Sequence, residues 1–202
     1  MHCLKSTDQK GADVDAVGGD LSATPLMWAA RQAHLPILSI LVSNGADPSL
    51  VDSQGFNSLH LAVHSSSVLS VIYILQQPVA VDAADNKGHT ALMWAAYQGD
   101  ALTVNVLLRY QANLTRRDET GMQPLHWAVV KGNRNCIRAL ITAGADLSSR
   151  DSKNRTAAMM AEELKSMSSY TGALADCGRD ADGRERQRPL SQVRAVVRLA
   201  VR

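Results

Sequence analysis

"TALMWAAYQGD", residues 90–100, decides how this chain is read. It sets a Trp inside a short, Ala-rich apolar run that reads as helix. Near copies stand at residues 24–34 ("TPLMWAARQAH") and 123–133 ("QPLHWAVVKGN"), so all 3 Trp of the chain occupy one place in a repeated unit. The period follows from the Leu residues. Leu26, Leu59, Leu92 and Leu125 are each 33 residues apart, and Ala158 continues the series. Around them lie Thr24-Pro25-Leu26-Met27, Asn57-Ser58-Leu59-His60, Thr90-Ala91-Leu92-Met93 and Gln123-Pro124-Leu125-His126, with a weaker Thr156-Ala157-Ala158-Met159. Upstream of four of these come Asp52-Ser53-Gln54-Gly55, Asp85-Asn86-Lys87-Gly88, Asp118-Glu119-Thr120-Gly121 and Asp151-Ser152-Lys153-Asn154. All four are turn signals, and Asn154 tolerates the left-handed backbone that Gly supplies in the others.

A 33-residue period carrying T-P-L-H is the signature of ankyrin repeats. The predicted fold is an all-α solenoid in which each repeat is a hairpin loop followed by two antiparallel helices. The residue types suit the positions. Thr caps the first helix, and Pro in its first turn lacks an N–H that would go unpaired there anyway. Ala pairs keep that helix thin enough for neighbours to stack. "LPILSILV", "LSVIYIL", "LTVNVLL" and "NCIRALI" supply the second helices, whose aliphatic faces join into one core. Gly45 and Gly144 end their units. Repeats are expected to start near residues 21, 54, 87, 120 and 153, filling 21–167, with the last one a degenerate cap.

The two ends depart from the pattern. Residues 1–20 read as a partial N-terminal repeat, in which Leu4 is the sole aliphatic residue between Met1 and Gly11-Ala12-Asp13. Two readings stand: a frayed N-terminal cap, or a fragment or alternative start that lacks an upstream repeat. Residues 168–202 read as a basic linker and tail without regular structure. Its closing "VRAVVRLAVR" spaces Arg194, Arg198 and Arg202 four apart. Such a helix could touch an anionic membrane surface weakly, although about ten residues are too few to hold a helix alone in water.

Composition excludes several classes. The net charge of +2 over 202 residues speaks against a nucleic-acid binder. The balance is uneven, since Arg179–Arg202 holds seven Arg against three acids while the body is near neutral. Three widely separated cysteines, Cys3, Cys136 and Cys177, fit a reducing compartment better than a disulfide framework. No run of 18 apolar residues occurs and no signal peptide is legible, so a cytoplasmic chain, monomeric and without a transmembrane segment, is expected. No catalytic constellation, metal-ligand spacing or nucleotide motif stands out, and neither cofactor nor metal is expected. Cys136, in an apolar second helix, reads as a buried inert thiol. His60 and His126 hold the T-P-L-H histidine position, which serves local hydrogen bonding.

The candidate site follows from the helical period. Trp28, Leu61, Trp94 and Trp127 occupy one position of the first helices. One turn on are Arg31, His64 and Tyr97, beside Gln32, Gln98 and Lys131, all on the face expected to line a concave groove. Aromatic residues and Arg dominate binding hot spots, so this stripe reads as a site for an extended peptide. The competing reading is that each Trp is half buried between repeats and serves packing.

"GGDLSATPLMWAARQAHLPILSILVSNGADPSLVDSQGFNSLHLAVHSSSVLSVIYIL" and "GHTALMWAAYQGDALTVNVLLRYQANL" carry a more specific likeness. They resemble the ankyrin domain of the ankyrin-repeat palmitoyltransferases, the fungal branch above all. The resemblance implies recruitment of client proteins through short peptide motifs, on the cytosolic face of Golgi and endosomal membranes. It also implies that Trp28, following Gly-Gly-Asp-Leu, contacts the peptide. The Asp-His-His-Cys tetrapeptide of that family's S-acyl transfer does not occur in this sequence, so no catalytic residue carries over. A stand-alone ankyrin adaptor unrelated to acylation and a piece of a full-length enzyme are the alternatives.

Overall fold

The computed structural model describes residues 12–179 together with Gly183 and Arg184. Ten helices follow one another in pairs among them: α1 (Pro25–Arg31) and α2 (Leu35–Ser43), α3 (Ser58–His64) and α4 (Val68–Leu75), α5 (Ala91–Gln98) and α6 (Ala101–Arg109), α7 (Pro124–Lys131) and α8 (Arg134–Thr142), α9 (Ala157–Glu163) and α10 (Met167–Asp176). First helices stack on first helices and second helices on second helices, which gives the two-layered solenoid that the period predicts. Isolated bridges at Gly18–Ala23, Ala84–Thr90 and Arg150–Thr156 close hairpin bases, and no longer strand forms among the described residues.

The caps are local chemistry. Thr24, Thr90 and Thr156 accept the backbone N–H of Met27, Met93 and Met159 through their hydroxyls at 3.3, 3.4 and 3.3 Å. In the alternate repeats a histidine takes part: Asn57 Oδ1 accepts the His60 N–H at 3.0 Å while the N–H of Asn57 donates to His60 Nδ1 at 3.3 Å, and the N–H of Gln123 donates to His126 Nδ1 at 3.1 Å. Both histidines are fully buried and reach across to the next repeat. Their Nε2 atoms lie 3.3 and 3.2 Å from the carbonyls of His89 and Ser149, so one ring ties a helix start to its neighbour's hairpin.

The hairpin tips are built by their Asp residues. In each of Asp52, Asp85, Asp118 and Asp151, Oδ1 accepts the backbone N–H groups two and four residues on, at 2.8–2.9 Å. The turns need a left-handed residue, and Gly55, Gly88, Gly121 and Asn154 supply φ of 83°, 82°, 74° and 61°. Adjacent tips are joined by one backbone bond each: Ser53 to Leu21, Asn86 to Gln54, Glu119 to Lys87 and Ser152 to Thr120, at 2.9–3.1 Å.

The main departure from expectation is at the C-terminal end. α10 completes the last repeat, so residues 168–176 belong to the solenoid and not to an irregular tail. Its buried Tyr170, Ala173 and Leu174 pack on the core, and Arg134 of α8 pairs with Asp176 at 2.6 Å. The amphipathic stretch after Arg188 and residues 1–11 of the partial repeat lie outside the described residues. Among those described, no helix is long and apolar enough to cross a membrane.

Candidate functional site

Aromatic residues of the first helices and of the hairpins meet along one face. Phe56 lies edge-on to Trp94 (centroids 5.8 Å) and to His64 (5.4 Å), while His64 and Trp94 approach to 4.5 Å. Trp94 therefore forms a wall shared by two hollows. One, of about 420 Å³, is lined by Arg31, Gln32, Gln54, Phe56, Leu61 and His64 on its other sides. The second, of about 190 Å³, is lined by His89, Met93, Trp94, Tyr97 and Trp127.

Of the residues singled out from sequence, Arg31, Gln32, Leu61, His64 and Trp94 come together in the first hollow, and Trp94, Tyr97 and Trp127 in the second. Gln98 donates from Nε2 to the His64 carbonyl at 3.5 Å. Lys131 and Trp28 line neither hollow. Leu61 corrects the idea of a continuous surface ladder: at 4% exposure it belongs to the core and shows only an edge. Its short aliphatic chain does not reach the surface that an indole at the same position reaches.

The three Trp are not equivalent. Asp85 and Asp118 each have a second carboxylate oxygen beyond the hairpin bonds, and it accepts an indole N–H. Trp94 Nε1 lies 3.1 Å from Asp85 Oδ2, and Trp127 Nε1 lies 2.9 Å from Asp118 Oδ2. Each Asp stands nine residues before its Trp. Nine residues before Trp28 stands Gly19, so this indole has no such anchor among the described residues, and Trp28 is 41% exposed. Trp94 and Trp127 are thus half-buried and tethered, while Trp28 projects. Sequence reasoning missed Phe56, His89 and the two Asp as parts of this face; the recurring Asp-to-Trp spacing was the available signal.

His89 sits between the repeats, with Nδ1 3.0 Å from Asp85 Oδ2 and Nε2 3.7 Å from Asp118 Oδ2. Burial alone would raise the Asp85 carboxyl, but hydrogen bonds from the His89 amide, the His89 ring and the Lys87 amide outweigh it and hold the group below the usual range. Burial lowers the pKa of His60, His64 and His126. In His60 and His126 the neutral form is also the one that can accept the cap N–H at Nδ1. Two buried polar atoms of this face lack a hydrogen-bond partner among the described residues: His64 Nε2 and Gln98 Oε1. Cys136 is buried and its thiol is pushed up to about 12, mainly by burial and then by Asp100, which makes it inert as expected. No group of three or more His, Cys, Asp or Glu among the described residues could hold a metal ion.

The histidines set a pH dependence of stability. A folded pKa below the unfolded value near 6.5 means that their contribution is complete above about pH 6.5 and is lost as pH falls through the folded value. Stability to urea is expected to drop between pH 7.5 and 5, by up to ~1.4 kcal/mol per pH unit for each buried imidazole in that window. A flat profile over this range would show that the rings take up protons without cost to the fold.

Residues 2–85 and 69–151 match the family profile of ankyrin repeats (three copies), which covers most of the chain. The chain belongs to the ankyrin-repeat family. Within that family it is similar to palmitoyltransferases over a shorter stretch. It is 53% identical over 66 residues to Palmitoyltransferase AKR1 of Lachancea kluyveri, covering 33% of this chain and 9% of the relative. It is 53% identical over 62 residues to Palmitoyltransferase ZDHHC13 of Homo sapiens, covering 31% and 10%. Palmitoyltransferase Hip14 of Drosophila melanogaster is 53% identical over 53 residues, covering 26% and 8%. The matched stretches amount to about a tenth of the length of these relatives. Fungal and animal relatives stand at equal identity, so the likeness does not single out the fungal branch. The ankyrin-repeat chain thus resembles the protein-interaction part of palmitoyltransferases.

Proposed function

We propose that this ankyrin array binds extended peptide segments of client proteins along its aromatic face, as the recruiting part of a palmitoyltransferase-type system. The observation that carries this reading is the row of aromatic rings bordering two hollows of about 420 and 190 Å³ that share Trp94 as a wall. Open hollows walled by rings on adjacent repeats suit the side chains of a segment laid across α3, α5 and α7, since buried aromatic surface supplies much of the energy at such sites. Trp28, untethered and exposed, sits on α1 at the next step of the same row and offers an apolar anchor. Arg31 and Gln32 provide a polar rim. The reading extends to recruitment alone and assigns acyl transfer to no residue of this chain.

The test is a fluorescence-polarisation screen of the full chain against an array of extended peptides, repeated with Trp28→Ala. Trp28→Ala is expected to weaken a bound peptide by roughly 30-fold or more, in line with the ~2 kcal/mol lost at a hot spot, while the helical circular dichroism stays unchanged. An equal affinity in the variant, or a large loss of melting temperature, would remove Trp28 from the site.

A further inference from the structure

The rings of His89, Trp94, Tyr97 and Trp127 form a closed circuit. Neighbouring centroids are 5.2 Å (His89–Trp94), 6.1 Å (Trp94–Tyr97), 5.4 Å (Tyr97–Trp127) and 5.3 Å (Trp127–His89) apart. Each ring stands at 70–86° to the next. They border the cavity of about 190 Å³, with the Met93 side chain completing its lining. Tyr97 is 43% exposed and forms its outer rim.

An apolar occupant of such a box gains contact alone. A cation gains in addition the attraction of every ring face it meets within about 6 Å of the centroid. Two features favour the cation. The Trp94 and Trp127 indoles each donate their N–H to a carboxylate, Asp85 or Asp118, which draws electron density onto the rings and places negative charge behind the walls. No Lys or Arg lines the cavity to oppose an incoming positive charge. The hydrogen bonds that hold the Asp85 carboxyl low keep it charged at neutral pH.

The kind of cation follows from what the lining lacks. An unmodified ammonium is compact, strongly hydrated and carries three donors. The aromatic and thioether walls give those donors few acceptors. A trimethylated ammonium has no N–H to satisfy, sheds water easily and presents methyl groups to ring faces. We propose that the His89–Trp94–Tyr97–Trp127 box binds the trimethylated ammonium of a modified lysine in a peptide lying along the aromatic face. This rests on the peptide-binding reading above, and adds a specificity element two repeats beyond Trp28.

The experiment is a titration of the full chain with N-acetyl-trimethyl-lysine amide, followed by the indole N–H signals of Trp94 and Trp127 in two-dimensional NMR. Parallel titrations use the unmodified lysine amide, the neutral tert-butyl isostere of trimethyl-lysine, and glycerophosphocholine. The trimethylated amide is expected to shift both indole signals and to bind roughly tenfold more tightly than the neutral isostere. Tyr97→Ala, a change at the exposed rim, is expected to abolish that preference without altering circular dichroism. Equal binding of the isostere would overturn the cation reading in favour of a purely apolar subsite. Binding of glycerophosphocholine with none of trimethyl-lysine would overturn the peptide source in favour of a lipid headgroup. Unshifted indole signals would overturn the box as a site altogether. Trp28→Ala keeps the two readings apart: it should leave binding of the small amide intact while removing long peptides.

Discussion

Leu92→Ala is expected to destabilise the array by about 2–5 kcal/mol, the range for deleting a fully buried Leu. Leu92 is 0% exposed and sits on α5, in the middle of the stack between α3 and α7. Side chains on both sides are held by their own repeats, so the vacated space does not close. In a linear array stability is a sum of repeat and interface contributions, and a central repeat takes part in two interfaces. The midpoint of urea unfolding checks the size of the loss. A loss below about 1 kcal/mol would mean that the 33-residue Leu row is not the core its burial indicates.

Tyr170→Ala is expected to cost about 3 kcal/mol, as for removal of other buried aromatic side chains. Tyr170 is 2% exposed on α10, where it covers the end of the stack. The effect should be local in an array of this kind, since each repeat is held mainly by its neighbours. Hydrogen exchange is the measurement of choice: amides of α9 and α10 should lose protection before those of α3 and α5. Uniform loss along the chain would show that the repeats unfold as one unit. Unchanged protection of α10 in the variant would show that Tyr170 is not what holds this helix, and no protection of α10 in the unaltered chain would return residues 168–176 to the irregular tail that their sequence suggests.

That suggestion shows what is legible in this chain and what is not. The hairpin turns, the Thr caps and the Leu row are encoded within a few residues of where they act, and the period multiplies each signal. α10 is different. "MSSYTGALAD" is rich in Ser, Thr and Gly, residues with little intrinsic tendency to form helix. Its helix is fixed by burial of Tyr170, Ala173 and Leu174 against the preceding repeat, a tertiary effect that no local window contains. The aromatic face was half legible. Helical spacing brought Trp94, Tyr97 and Trp127 together, whereas Phe56 and His89 arrive from hairpins whose fold-back the spacing does not describe. The inequality of the Trp residues lay in the sequence as Gly19 in place of Asp, but it acquires meaning only once the hairpin Asp is seen to hold an indole.

The bonds between hairpin tips carry a mechanical consequence. One backbone bond recurs at each interface in the same register, from Ser53–Leu21 to Ser152–Thr120. A tension applied along the chain therefore meets a series of like links in place of one decisive clamp. Each repeat that yields releases 33 residues, on the order of 110 Å of extended chain. Under such tension the array would lengthen in steps of similar size while the repeats still folded kept their shape.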